Sequence, residues 1–104
     1  MSQVTSKPKF TVGDVVRHQR YDYRGVVVGY DETCQASDEW YASNRTQSDR
    51  EQPWYHVLVH GSTHSTYVAE ENLTSDDCGE QIVHPLVKSF FGQFRKGRYI
   101  ARAE

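Results

Sequence analysis

The run Trp54-Tyr55-His56-Val57-Leu58-Val59 is the densest stretch of aromatic and β-branched residues in the chain. Such a composition favours a strand in the middle of a sheet. Pro53 has no backbone N–H to donate and therefore marks the first residue of the strand, while Gly61 starts the turn that follows His60. The sequence thus predicts a central strand over residues 53–60 that the rest of the chain must cover.

Side chains alternate along a strand, so this segment has two different faces. The odd-numbered residues are all apolar and are expected to point into a core. The even-numbered face mixes an aromatic and an aliphatic residue with two imidazoles, and consists of Trp54, His56, Leu58 and His60. A mixed face of this kind is typical of a half-buried or functional surface, which makes Trp54 and His56 candidates for contact with a partner.

Four further segments have the composition of short strands, namely 15–18, 25–30, 65–69 and 73–74. Short links between them favour antiparallel pairing. Gly25 and Gly29 fall on one face of the second strand, which indicates a bulge or close packing and an edge open to an added strand. Five short strands favour a mainly β fold, a small SH3-like barrel over residues 10–74, rather than a sandwich.

Residues 85–96 are predicted to form a C-terminal α-helix that packs on this barrel. Pro85 suits the first turn of a helix, and Gly97 suits the position just after its end. Apolar residues between them recur at helical spacing, at Leu86, Val87, Phe90, Phe91 and Phe94. We expect the three phenylalanines to face the core; an exposed groove for a partner is the alternative.

The segment 31–52 is acidic, polar and without periodicity, except for Trp40-Tyr41 in its middle. A loop of this length in a compact domain is usually functional or disordered. One interpretation is a short helical turn over 38–41 that docks its aromatic residues on the barrel. The other is a solvated loop held by Trp40 alone.

Residues 1–9 are polar and are expected to be a flexible lead-in to a single domain over 10–104. The chain has no apolar run long enough to span a bilayer and no signal segment at its start, which favours a cytoplasmic location without membrane contact. Cys34 and Cys78 stand alone rather than in a CxxC pair. Free thiols are therefore favoured, with a disulfide as the alternative.

The formal net charge of −2 is unevenly distributed. Residues 1–30 carry a balance of +3, residues 31–84 one of −9 and residues 85–104 one of +4. The two basic ends form a basic face only if they lie together. The first of them interleaves cations with tyrosines, through Arg17, His18, Arg20 and Arg24, a composition suited to phosphate contact and stacking. A solvated hairpin with tyrosines over the barrel is the alternative.

Catalytic and metal-binding patterns are absent from the sequence. His56 and His60 share a strand face but lie roughly 13 Å apart by strand rise, too far to ligate one ion. There is no glycine-rich phosphate loop, no Gly-x-Ser-x-Gly and no HExxH motif. We therefore expect a non-enzymatic binding protein without a metal or cofactor.

Four blocks of sequence together carry a resemblance to a known family. They are Phe10-x-Val12-Gly13-Asp14-x-Val16-Arg17-His18, then 23–28 with Tyr30-Asp31, then 54–59, then 66–73. In this order the blocks resemble the hemimethylated-DNA-binding (YccV-like) domain family, which includes the heat-shock protein HspQ. Asp31-x-Thr33-Cys34 with Glu39-Trp40, and the closing 84–100 stretch, look most like the version at the C-terminal end of certain F-box-only proteins.

The resemblance implies an SH3-like barrel without enzymatic activity that binds DNA, and the name of the family implies hemimethylated DNA. The alternative that it implies is a protein–protein adaptor or specificity factor for an ATP-dependent protease or its unfoldase in stress response. Met1 precedes the first block by nine residues, so we expect the domain to stand alone, without an F-box. Candidate contact residues, for either partner, are Arg17, His18, Arg20, Arg24, Trp40, Tyr41, Trp54 and His56.

Overall fold

The structure is a computed structural model and describes residues 7–102. Most of the predicted lead-in, residues 1–6, lies outside the described residues, as do residues 103–104 at the end of the predicted domain. The strands are β1 Val15–His18, β2 Arg24–Asp31, β3 Trp54–Val59, β4 Ser65–Ala69, β5 Leu73–Ser75, β6 Phe91–Arg95 and β7 Arg98–Ala101. The helices are α1 Asp38–Ser43, α2 Val87–Phe90 and a 3₁₀ turn over Glu70–Asn72.

The first five strands form one antiparallel sheet in the order β4-β3-β2-β1-β5. All five predicted strands are present, within about one residue of their predicted bounds, so the mainly β prediction is confirmed. The sheet does not close into the predicted barrel, because β4 pairs only with β3 and β5 only with β1. The 3₁₀ turn Glu70–Asn72 separates these two strands, and no ladder joins them.

The prediction that the glycine-bearing strand is an open edge is wrong. β2 lies in the centre of the sheet, between β3 and β1, and the edges are β4 and β5. The predicted bulge is confirmed as a register shift between Val27 and Gly29. Gly25 is buried and faces Val59 of β3, so its missing side chain serves close strand packing.

The core lies on both faces of the sheet. One cluster contains Val27, Tyr55 and Val57, which are fully buried, together with Phe10, Val16, Val68 and Leu73. A second cluster on the opposite face contains Val26 and Leu58 with Ile82, Phe91 and Tyr99 of the C-terminal segment. The predicted apolar face of β3 is thus in the core, and much of its mixed face is buried as well.

The prediction of a C-terminal helix over residues 85–96 is wrong. Only Val87–Phe90 is helical, and Phe91–Arg95 pairs with Arg98–Ala101 as a hairpin. Lys96 and Gly97 both have positive φ, 55° and 81°, the conformation of a two-residue hairpin turn that matches strand twist.

The spacing of the phenylalanines predicted a helix wrongly, because a bulge in a strand can also bring residues at this spacing to one face. The register of β6 shifts between Phe91 and Gln93, which places Phe91 and Phe94 on one face, against Tyr99 of β7. Phe91 is buried and Phe94 is half-buried, while Phe90 is exposed and belongs to neither cluster. Phe91 and Phe94 therefore cover the sheet, as expected, but from a hairpin, whereas the prediction that Phe90 faces the core is wrong.

Candidate functional site

A cavity of about 540 Å³ opens beside the edge strand β4. All five residues of β4 line it, and its walls come from the turn after β1 and from α1 with the residues that follow it. Six aromatic or imidazole rings surround it, those of His18, Tyr21, Tyr23, Trp40, His56 and Tyr67. We call this cavity the aromatic pocket.

The first wall is the tight turn between β1 and β2, organised by His18. Its Nδ1 accepts hydrogen bonds from the backbone N–H of Arg20 (3.1 Å) and of Tyr21 (3.0 Å). Its ring packs against Tyr21 and Tyr23, with centroids 4.7 and 5.1 Å away. Tyr23 is held in turn by a 2.8 Å hydrogen bond between its hydroxyl and that of Thr66 on β4.

These contacts define the protonation state of His18. Burial lowers the pKa of His18 below its ordinary value, and the positive charge of Arg20 lowers it further. The neutral ring accepts at Nδ1, so its proton must be on Nε2. His18 therefore presents a hydrogen-bond donor, not a positive charge, at the pocket.

The second wall is α1, the short helical turn that the sequence predicted as one of two interpretations. Ser37 caps it by accepting a hydrogen bond from the Trp40 backbone N–H (3.1 Å). Arg50 holds the start of the helix through an ion pair with Asp38 (3.2 Å) and a hydrogen bond to the Ala36 carbonyl. The segment 31–52 is thus built from local polar contacts around a docked helix.

Trp40 projects from α1 onto a group of rings on the sheet. It meets Trp54 and Tyr67 edge-to-face, with centroids 6.1 and 5.7 Å away. Tyr67 lies between Trp54 and His56, at 5.4 and 4.6 Å. Trp40 is 36% exposed although it is held by these contacts, so one part of its ring is free while its position is set.

Tyr67 is anchored by its hydroxyl, which donates to Asp31 (2.6 Å) and accepts from the Gln35 backbone N–H (3.0 Å). Burial raises the pKa of Tyr67 above its ordinary value, and the hydrogen bond to Asp31 raises it further. The hydroxyl remains a donor at neutral pH. Asp31 also lies 3.5 Å from His56, so one carboxylate stands behind two rings of the lining.

The charged side chain in the pocket lining is an arginine. No aspartate or glutamate lies among the residues that line it, whereas Arg45 does. Arg45 is exposed and forms no ion pair within residues 7–102. Arg20, next to Tyr21, is likewise exposed, with its guanidinium 5.7 Å from the centre of the Tyr21 ring. Carboxylates are thus absent from the lining itself, although Asp31 lies behind it, against Tyr67 and His56.

Comparison with known proteins shows the family of this chain. The sequence pattern of the family described as "Hemimethylated DNA-binding protein YccV like" matches residues 8–98. The chain belongs to the YccV-like family. It is 36% identical over 98 residues to mouse F-box only protein 21 and 35% identical to the human protein of that name. The match covers 91% of this chain but only 16% and 15% of those relatives, and it confirms the resemblance predicted from sequence.

Of the contact residues predicted for this YccV-like chain, three line the aromatic pocket: His18, Trp40 and His56. Trp54 is 1% exposed and supports the pocket from beneath. Tyr41 is half-buried, donates its hydroxyl to the Ser48 carbonyl (2.7 Å) and carries the Arg50 guanidinium on its ring. Trp54 is therefore too buried to contact a partner directly, while the hydroxyl of Tyr41 is committed to a contact within the segment 31–52.

Two of the predicted phosphate contacts are engaged elsewhere. Arg24 forms a 2.6 Å ion pair with Asp76, and both side chains are largely buried. Arg17 pairs with Asp22 (2.8 Å) and lies 3.5 Å from Asp76. Burial alone would raise the pKa of Asp76, but the hydrogen bonds and charges of its partners, chiefly Arg24, hold it below its ordinary value. Carboxylates downstream in sequence thus neutralise Arg17 and Arg24, two of the predicted contact residues.

Sequence reasoning missed Arg45 and Tyr67 as pocket residues. Tyr67 stood in a predicted strand, but only the pairing of β4 at the sheet edge shows that it borders a cavity. Arg45 lies in the aperiodic segment, whose path no pattern indicates. The sequence also does not show that Arg45 lacks a carboxylate partner among the described residues, because this depends on which side chains the fold brings near it.

The YccV-like chain shows neither a metal centre nor a helix suited to a bilayer within the residues described. No three His, Cys, Asp or Glu side chains of residues 7–102 are grouped so as to hold a metal ion. None of the helices in that range is long and apolar enough to cross a membrane. Cys34 is buried and Cys78 is exposed, and both are free thiols.

Proposed function

We propose that this chain is a non-enzymatic DNA-binding domain of the cytoplasm, and that it contacts DNA through the surface around the aromatic pocket. The observation that carries the proposal is the composition of that surface. It combines exposed aromatic rings with two exposed arginines that have no carboxylate partner within the described residues, Arg45 in the lining and Arg20 beside Tyr21. Rings that stack and cations that contact phosphates are the two elements of nucleic-acid binding. The description of the family supports the same function.

The electrostatics predict weak binding with a shallow dependence on salt concentration. Four of the arginines, Arg17, Arg24, Arg50 and Arg98, pair with carboxylates, and the net charge is −2. If only Arg20 and Arg45 neutralise phosphates, the slope of log K against log salt concentration is about −2 for duplex DNA. A slope this shallow distinguishes a small contact from a wrapped duplex.

Titration with three duplexes of one sequence tests the function. Unmethylated, hemimethylated and fully methylated forms are compared at physiological salt, and the salt slope is measured for each. The hemimethylated form is expected to bind best, and the double variant Arg20→Ala/Arg45→Ala is expected to abolish binding.

The control for this titration keeps the same loss of charge at another place. Arg95 and Lys96 are exposed in the β6–β7 hairpin and form no ion pair within the described residues. Arg95→Ala/Lys96→Ala should therefore leave binding at the pocket nearly unchanged. Equal loss in both double variants, or no binding to any duplex, would refute the proposal.

A second candidate function is that of an adaptor for an ATP-dependent protease or its unfoldase. The observation that favours it is the free edge of β4. The backbone N–H of Glu70 donates to the Pro53 carbonyl, and that of Val59 donates to the His64 carbonyl. In an antiparallel ladder this register turns the backbone N–H and C=O groups of Ser65, Tyr67 and Ala69 away from β3. An extended peptide can add to such an edge as a further strand.

The substitution Ser65→Pro tests the adaptor. It removes an outward N–H without touching the β3–β4 ladder. Recovery of a protease or unfoldase subunit by the wild-type chain, and its loss with Ser65→Pro, would support the adaptor. Recovery of nucleic acid alone would exclude it in favour of DNA binding.

A further inference from the structure

We propose that the aromatic pocket binds a single unstacked nucleotide of a DNA strand, with the base on Trp40 and Tyr21 and the phosphate beside Arg45. This inference rests on the proposed DNA binding and extends it. It assigns the contact to a base that has left the stack, rather than to the duplex backbone alone. Extraction of one base is least costly where a base is unpaired.

The two stacking platforms are exposed and already positioned. Tyr21 is 45% exposed, and its ring rests on His18. Trp40 has its ring fixed edge-to-face by Trp54 and Tyr67, as described above. A base that stacks on such rings does not have to immobilise them, so little conformational entropy is lost on binding. The volume of about 540 Å³ lies within the range of small-molecule sites.

The charge of the pocket decides between two ligands that aromatic rings favour. A quaternary ammonium group, such as a methylated lysine, also binds among aromatic rings. Here, however, the charged side chain in the lining is Arg45, and no carboxylate lines the pocket; Asp31 lies behind the lining, where its carboxylate accepts the Tyr67 hydroxyl proton in a hydrogen bond. An arginine repels a cationic ligand and attracts a phosphate. The combination of rings with Arg45 therefore favours a nucleotide.

Polar groups in the lining suit the edge of a base. His18 holds its proton on Nε2, and this atom has no hydrogen-bond partner within the described part of the chain. Asn72 donates its side-chain amide to Ser48 (2.9 Å), which fixes the amide and leaves its carbonyl oxygen as an acceptor. A donor and an acceptor in one pocket are what reading of a base edge requires.

Three DNA duplexes of the same sequence separate this inference from DNA binding in general. One is fully paired, one has a single bulged adenine, and one has an abasic bulge with the same number of phosphates as the second. Affinities are measured by fluorescence anisotropy at physiological salt. Stacking predicts that the adenine bulge binds about 5- to 150-fold tighter than the abasic bulge.

Substitutions locate the effect. Trp40→Ala and Tyr21→Ala are each expected to remove most of the advantage of the adenine bulge. Phe90→Ala is the matched control, because Phe90 is 41% exposed and lies outside the pocket, and it should keep the full advantage. Tyr21 is on the surface and outside the buried clusters, so its substitution remains informative if Trp40→Ala does not fold.

The results distinguish failure of the inference from failure of the proposed function. Equal binding of all three duplexes, unaffected by Tyr21→Ala, would overturn the pocket inference and leave DNA binding intact. Binding of the adenine bulge alone would support the inference and refute binding of intact duplexes. Absence of all binding would overturn both. Binding of a trimethyl-lysine peptide in place of DNA would also overturn the inference, since it would assign the pocket to a cation.

Discussion

Gly25 leaves no room for a side chain, and this gives a sharp test of the packing of β2 on β3. A Cβ atom added at Gly25 would lie 2.5 Å from the carbonyl oxygen of Leu58 and would also meet the Val57 side chain. Carbon atoms and their neighbours pack at roughly 3.5–4.0 Å, so the overlap is on the order of 1 Å. The obstructing oxygen belongs to the backbone of a central strand and cannot rotate away.

The substitution Gly25→Ala must therefore separate two central strands or distort them. Inserting atoms into a packed core costs about 1–3 kcal/mol and occasionally more. Because the clash is with backbone, we expect the upper part of this range. With a slope of about 1–3 kcal/mol per molar urea for a small domain, the midpoint of unfolding should fall by on the order of 1 M.

Gly29 in the same strand supplies the matched control. A Cβ atom there would meet only the His56 ring, at an ordinary distance of 3.7 Å. Gly29→Ala should leave the free energy of unfolding unchanged or raise it by up to about 1 kcal/mol, because alanine reduces the freedom of the unfolded chain. Urea unfolding followed by tryptophan fluorescence measures both variants. A Gly25→Ala protein as stable as the wild type, or one that loses less than Gly29→Ala, would refute the packing described here.

Three further predictions concern stability. Phe91→Ala should lower the free energy of unfolding by about 3–5 kcal/mol, since Phe91 is buried, whereas exposed Phe90→Ala should cost little; similar losses in thermal unfolding would contradict the hairpin. Tyr55→Phe should cost about 1–3 kcal/mol, since it removes a 2.7 Å hydrogen bond to buried Glu70, and an unchanged urea midpoint would contradict this. The lowered pKa of Asp76 stabilises the fold at pH values above 3.8, the ordinary pKa of this group in the unfolded chain, and this contribution should be lost as the pH falls through the lower pKa of the folded state. Asp76→Asn should flatten this dependence of the free energy of unfolding on pH, and an unchanged dependence would contradict the prediction.

The strands were predictable because their signals are local. β1 and β4 have the bounds expected from runs of β-branched residues between turn signals. The bulge in β2 was predictable for the same reason, because glycine alternation is visible in the chain itself. The docked helix α1 was expected as one interpretation, and its cap, Ser37, is a local feature too.

The C-terminal segment shows where local signals fail. Phe91 and Phe94 can share one face on a helix and also on a bulged strand, so periodicity alone does not distinguish the two. Two features select the hairpin over the helix. Lys96 and Gly97 have positive φ angles that form a turn, and the apolar residues of the hairpin cover Leu58 on the second face of the sheet. This second apolar face exists only once β3 has paired with a strand on each side, so it is a property of the sheet and not of the local sequence.

The site was predictable in its residue types but not in its membership. The sequence indicated a combination of cations with aromatic rings, and the candidate contact residues included His18, Trp40 and His56, which the fold brings to one pocket. The tertiary structure decided which cations remain free. Asp76 is 52 residues from Arg24 in sequence yet neutralises it, while Arg45 has no such partner among the described residues. Charge is a property of the sequence, but its availability depends on which opposite charges the fold brings within a few ångströms.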